Sequence, residues 1–170
     1  MTHSAKLPDA MPEIDTPTLL VVSDAHHCRF IAVGGHTLVE EEELHAPELK
    51  HTDRQTVNMG PGGASGVGDE HHAEDHRLRE FAIAIAGRAS ALVERQKVGA
   101  VFMAASSRLL SELKKHLPQA VTKALKSTID GNFVKESATE ILARFRPDLE
   151  QSVKKLRDLE NYSSKKHLPK

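Results

Sequence analysis

The chain has few of the residues that make common functions easy to read. Cys28 is its one cysteine in 170 residues, so no disulfide framework exists and a reducing compartment is expected. There is no tryptophan, one tyrosine and five phenylalanines, which argues against a nucleic-acid platform built on stacked aromatic rings. No run approaches the ~20 apolar residues of a membrane-spanning helix, and residues 1–12 hold no secretory apolar stretch. A cytoplasmic location is therefore expected. The Gly-Lys-Ser/Thr ending of a phosphate-binding loop is missing, as are the spacing of a dinucleotide fingerprint and the His-Glu-x-x-His order of a zinc protease.

What is present fits one soluble domain. A chain of this length buries a core without staples, and 39% hydrophobic with 28% charged residues is ordinary for a globular protein. The net charge of −1 conceals a split. Residues 1–94 carry 7 basic against 16 acidic side chains, and residues 95–170 carry 16 against 8. Such asymmetry gives one acidic and one basic surface. The basic half fits either a polyanion such as RNA or an ordinary lysine-rich surface.

Periodicity sets the order of elements. Residues 1–16 hold Pro8 and Pro12 without a repeating pattern and read as a flexible arm. A single domain is expected over 17–160 and a basic tail over 161–170. Leu19–Val22 and Cys28–Val33 read as strands around a turn at Asp24, and Gly34-Gly35 signals a hairpin into a third strand over 37–44. The four glutamates at 40–43 suit an edge strand whose charge discourages further pairing. After a polar loop over 45–69, Leu78, Phe81, Ala82, Ile85, Ala89, Leu92 and Val93 predict one helix face over about 70–94. The apolar run 98–105 reads as a central strand. A helix capped by Ser106 or Ser107 follows, then a short helix after Pro118, a strand over 125–130, a helix opened by a Ser137/Glu140 capping box, and an amphipathic segment over 149–159. The order βββαβαβα predicts an α/β domain with a mixed sheet and flanking helices, as in the ribonuclease H-like fold.

The loop before the long helix is the most informative stretch. Gly60, Gly62, Gly63, Gly66 and Gly68, interleaved with Ala64 and Ser65, free the backbone for close approach to a partner. Asp69-Glu-His-His-Ala-Glu-Asp-His76 follows at once. His72 and His76 are four apart, so on a helix they share a face, and Asp69, His71 or Asp75 would supply a third ligand for zinc or another divalent transition ion. The plainer reading is that these acids favour the positive end of the helix dipole and the histidines are solvated. Asp24 and Asp130 near strand ends suit turn formers better than a two-metal nuclease pair. Cys28 suits a small buried hydrophobe better than a nucleophile.

Several segments carry a family resemblance. Asp24-Ala-His-His-Cys-Arg-Phe-Ile-Ala-Val33, His76-Arg-Leu-Arg-Glu-Phe-Ala82, Val101-Phe-Met-Ala-Ala-Ser-Ser-Arg-Leu-Leu110, Leu113-Lys-Lys-His-Leu-Pro118 and Gly131-Asn-Phe-Val134 together resemble the bacterial host attachment protein family over roughly residues 17–146. That family is in turn similar to the middle domain of archaeal and eukaryotic peptide-chain release factors. There, a Gly-Gly-Gln loop ahead of a long helix enters the ribosomal peptidyl-transferase centre. The resemblance puts Gly62-Gly63 in that loop and Ala64 where the glutamine would stand. A methyl group cannot position a hydrolytic water. The resemblance therefore implies docking on a ribosome or RNA without peptide release.

Lys114, Lys115, Lys123, Lys126, Lys154, Lys155, Arg157, Lys165 and Lys166 are the candidate phosphate contacts, which would be salt-sensitive and independent of sequence. The expected function is a non-catalytic, ribosome- or RNA-associated factor without a cofactor. Two alternatives stand beside it: a metal-dependent hydrolase at His72 and His76, and a protein-interaction module in host or surface attachment.

Overall fold

A computed structural model describes residues 3–49 and 67–166. Strands β1 (His3–Lys6), β2 (Ile14–Ser23), β3 (His27–Gly35), β4 (Thr37–Glu40) and the two-residue β5 (Leu44–His45) come first. The 30-residue helix α1 (Val67–Gln96) leads to β6 (Ala100–Ala105), α2 (Ser107–His116), α3 (Gln119–Ala124) and β7 (Leu125–Asp130). Helix α4 (Ala138–Phe145), a 3-10 turn and α5 (Glu150–Lys166) close the chain.

The sheet order is β1-β4-β3-β2-β6-β7, with β5 paired to the start of β3. β2, β3 and β4 are successively antiparallel, whereas β6 is parallel to β2 and β7 to β6. A long first strand with an antiparallel meander on one side and two parallel strands on the other is the mixed sheet of the ribonuclease H-like fold. The β2–β3 turn forms because the Asp24 carboxylate accepts the backbone N–H groups of His26 and His27, each at 2.7 Å. At the next turn Gly35 takes φ +58°, which glycine tolerates without a Cβ penalty.

Alternation along the strands divides the core in two. Leu19, Val21, Cys28, Phe30, Val101 and Met103 face Phe81, Ile85 and Leu92 of α1, Leu109 and Leu113 of α2, and Val121 of α3. Leu20, Val22, Ile31 and Val33 face the opposite layer, with Ile141, Leu142 and Phe145 of α4 and Val153 of α5. Each fully buried side chain of this size contributes ~1.5–3 kcal/mol against exposure. The helix ends follow their sequence signals. Ser106 accepts from the backbone of Leu109, and Ser137 and Glu140 form the capping box. Helix α1 stops where Lys97 turns to φ 51° and Val98 N–H reaches back to the carbonyl of Val93.

Three expectations need correction. Residues 3–16 are not a free arm: His3–Lys6 pairs with β4, and Leu7, Met11 and Ile14 are buried in the second core. The third strand ends at Glu40, and β1 covers its outer side, so the glutamates do not guard an edge; Glu41 is buried. Residues 161–166 continue α5 as helix, so the basic tail does not begin at 161. The helix expected over 70–94 is longer at both ends, and β1, β5, α3 and α5 extend the βββαβαβα order.

Candidate functional site

The entrance of α1 is where the sequence concentrates its unusual residues. Gly60, Gly62, Gly63, Ala64, Ser65 and Gly66 lie outside the described residues. Gly68 and Asp69 lie in the first turn of α1. From His71 to His76 every side chain is exposed, Leu78 is half-buried, and Phe81 is the first that is fully buried. These opening turns therefore stand clear of the core. At ~1.5 Å per residue, the six positions from 71 to 76 alone account for ~9 Å of helix.

Polar contacts hold this end of α1 on both flanks. On the strand side, Arg77 Nε donates to the carbonyl of Pro47 at 2.7 Å. Its terminal nitrogen lies 2.8 Å from His26 Nδ1. A guanidinium has only donors, so the imidazole nitrogen is the acceptor. The His27 and His45 rings meet edge to face at 5.1 Å as directly paired strand residues. On the opposite flank, Asp75 pairs with Arg108 of α2, and Arg79 lies 3.5 Å from Glu112. Glu112 also accepts from Lys115 at 2.8 Å and lies 3.1 Å from His116 Nε2. The hydrogen bonds from Lys115 and then His116 hold the Glu112 carboxyl down to about 2. A groove of about 440 Å³ runs between the two helices at this point.

Of the candidate metal ligands, the Asp69 side chain lies outside the described residues. His72 and His76 keep their one-turn spacing, but His76 Nδ1 sits 3.6 Å from Glu80 and Asp75 is engaged by Arg108. Among the described residues no group of three or more His, Cys, Asp or Glu side chains is arranged to hold a metal ion. Asp24 follows β2 and Asp130 ends β7, with β6 between the two strands, roughly 10 Å apart at ~4.8 Å per strand. Each is occupied locally: Asp24 by its own turn, Asp130 by the Ser107 hydroxyl and backbone at the start of α2. Burial would raise the Asp24 carboxyl, but the two backbone N–H bonds outweigh it and hold the group below its ordinary value. Cys28 is buried, and burial pushes its thiol well up, away from nucleophilic use.

The candidate phosphate contacts do not form one surface. Lys114, Lys115, Lys123 and Lys126 are exposed on α2, α3 and β7. Lys154, Lys155 and Arg157 are exposed on α5, across the sheet from α2 and α3, and Arg157 pairs with Glu140. The backbone of Lys165 and Lys166 closes α5, and their side chains lie outside the description. A larger groove, about 700 Å³, separates α4 from α5. Its facing charges include two ion pairs, Arg144 with Glu136 and Arg157 with Glu140, beside Glu150, Lys154 and Asp158. Arg77, Arg79, Arg108 and His26 were not singled out from the sequence. The available signal was Asp75 and Arg79 one helical turn apart on the flank of the apolar stripe at Leu78.

Residues 19–145 match the family described as "Protein required for attachment to host cells". No curated protein matches the chain. Among solved structures it is similar to the archaeal translation termination factor aRF1, with TM-score 0.48 and 10% identity over 87% of this chain and 42% of that one. A second, described as an archaeal protein, gives TM-score 0.46 and 10% identity over 87% of this chain and 41% of that one. The chain thus spans less than half the length of either neighbour.

Proposed function

The chain belongs to the family of proteins required for attachment to host cells, and from that premise we propose that it is a non-catalytic, release-factor-like factor that docks on ribosomes through the glycine-rich segment ahead of α1. The observation that carries this reading is the exposed start of α1. The residues preceding Val67 join the molecule at a helix end that stands clear of the core and is braced on two sides. Glycines at 60, 62, 63 and 66 suit a segment that must approach a partner's backbone closely. Ala64 offers neither donor nor acceptor at the position where the resemblance asks for glutamine, so the reading has no hydrolytic step. The metal-hydrolase alternative gains no support, since His72 and His76 find no third ligand among the described residues. A protein-interaction role in attachment draws its support from the family description alone.

The test is sedimentation of the purified chain with ribosomes across a salt series, beside a Gly62→Pro/Gly63→Pro variant. Salt-sensitive co-sedimentation that the variant loses is expected. Absence of binding at low salt would overturn the reading, and a stable protein partner found instead would favour the attachment module. Binding that the variant retains in full would remove the glycine segment from the interface.

A further inference from the structure

We propose that the groove between α1 and α2, and not the basic face of α5, holds the phosphodiester backbone of RNA, with Arg79, Arg108 and Lys115 as its phosphate contacts. The inference rests on the ribosome reading and names the surface that reading needs. Its basis is the way Glu112 organises its neighbours. The half-buried Glu112 carboxylate draws Arg79, Lys115 and His116 together from two helices. One anion therefore fixes cations from both walls of the groove. Lysine has three N–H donors and Lys115 gives one of them to Glu112, while Arg79, with five, sits 3.5 Å from the same carboxylate as an ion pair, so both have donors left for a ligand. The carboxylate stays ionised through the physiological range, as its position at about 2 requires.

Arg108 lies on α2 one turn before Glu112, paired with Asp75 of α1, and both side chains are about 60% exposed. An exposed ion pair contributes little and exchanges readily, so a phosphate can take the place of Asp75 on Arg108. Lys114 and Lys123 continue the same basic layer along α2 and α3. The groove also opens beside Asp75, Leu78 and Arg79, just below the exposed turns that carry the glycine segment. The α5 face gathers no such cluster: its carboxylates hold one arginine each, Glu140 with Arg157 and Glu136 with Arg144, so no single anion brings several cations together there.

The experiment measures binding of a short single-stranded oligouridylate by fluorescence anisotropy across a salt series, with ribosome sedimentation in parallel. Arg79→Gln/Arg108→Gln should lower the salt slope by about 1.4, at ~0.7 per single-strand phosphate contact, and weaken affinity ~10-fold at moderate salt. Lys154→Gln/Lys155→Gln should leave both unchanged. Asp75→Asn should tighten RNA binding about threefold by removing a competing anion. A merely structural ion pair would not produce that gain, so this variant separates binding from stability. Thermal melts of each variant check folding, and Lys115→Gln, at a side chain 65% exposed, repeats the test in the same direction.

Unchanged oligonucleotide binding in the arginine variant, or loss in the α5 variant, overturns the groove assignment while ribosome binding by the unaltered chain keeps the broader reading. Oligonucleotide binding without ribosome binding overturns the ribosome reading and leaves the groove standing if the arginine variant loses affinity. Binding to neither overturns both.

Discussion

Glu41 is the one charged side chain buried among the described residues, and its surroundings explain why it is tolerated. It accepts from Arg95 at 2.8 Å and from Gln96 at 2.7 Å, with Arg88 at 3.7 Å. All three partners lie near the end of α1, so this carboxylate fastens the exit from β4 to the helix. Removing it leaves Gln96 and the arginines without their acceptor. The loss is smaller than the ~3–5 kcal/mol of a fully buried pair, because Arg95 is 58% exposed and can turn to water. Glu41→Ala should therefore cost ~2 kcal/mol, read as a fall in Tm of ~4–8 °C. Glu41→Gln keeps one acceptor oxygen and should cost about half as much. A glutamate that merely repelled other strands from an edge would change stability by no more than ~0.5 kcal/mol in either variant.

At the scale of elements, the first sixteen residues show what a sequence conceals. Met11 is 1% exposed and Leu7 2% exposed, both against the α4–α5 layer of the core. Met11→Ala should destabilise the fold by ~2–4 kcal/mol, measured as a lower midpoint in urea. A flexible arm would show no shift, so the measurement decides between the two descriptions. The strand beside it was illegible for a physical reason. All four side chains of His3–Lys6 are exposed, so no alternation marks the strand, and its pairing with β4 is made by backbone alone. Leu7, Met11 and Ile14 are single apolar residues among prolines and polar groups, and only the distant α4 and α5 bury them. Helix α1 was legible because its stripe from Phe81 to Val93 repeats at helical spacing over more than three turns, and α2 and α4 because Ser106 and Ser137 cap them. The candidate site was legible only in part. Its glycines and histidine spacing are local, whereas Asp75 meets Arg108 across 33 residues and Arg77 meets His26 across 51.

Across the whole molecule, the acidic and basic halves of the sequence do not become two opposed surfaces, because the fold interleaves them. Acids of α1 meet bases of α2, and the lysines of the second half are divided between the two sides of one sheet. The same interleaving fixes the response to acid. Among the described residues four carboxyls sit below their ordinary values. In Glu112 hydrogen bonds from Lys115 and His116 are responsible; in Glu140 the backbone N–H of Ser137 and then Arg157; in Asp148 the hydrogen bond from Arg146; in Asp24 backbone N–H groups that overcome the effect of burial. These groups lie on both helical layers and at the sheet's end, so no single layer carries the effect. A carboxyl depressed in the folded state binds its proton more readily in the unfolded chain, and stability then rises with pH. Their contribution is complete above the ordinary glutamate value of 4.5 and is lost as pH falls through the folded values, for Glu112 about 2. Melting temperature at low ionic strength should therefore fall between pH 4.5 and 2. Glu112→Gln should flatten that fall without abolishing it, since Glu140, Asp148 and Asp24 still titrate. An unchanged acid slope in the variant would mean that Glu112 does not hold α1 against α2, and the cationic rim it gathers would lose its anchor.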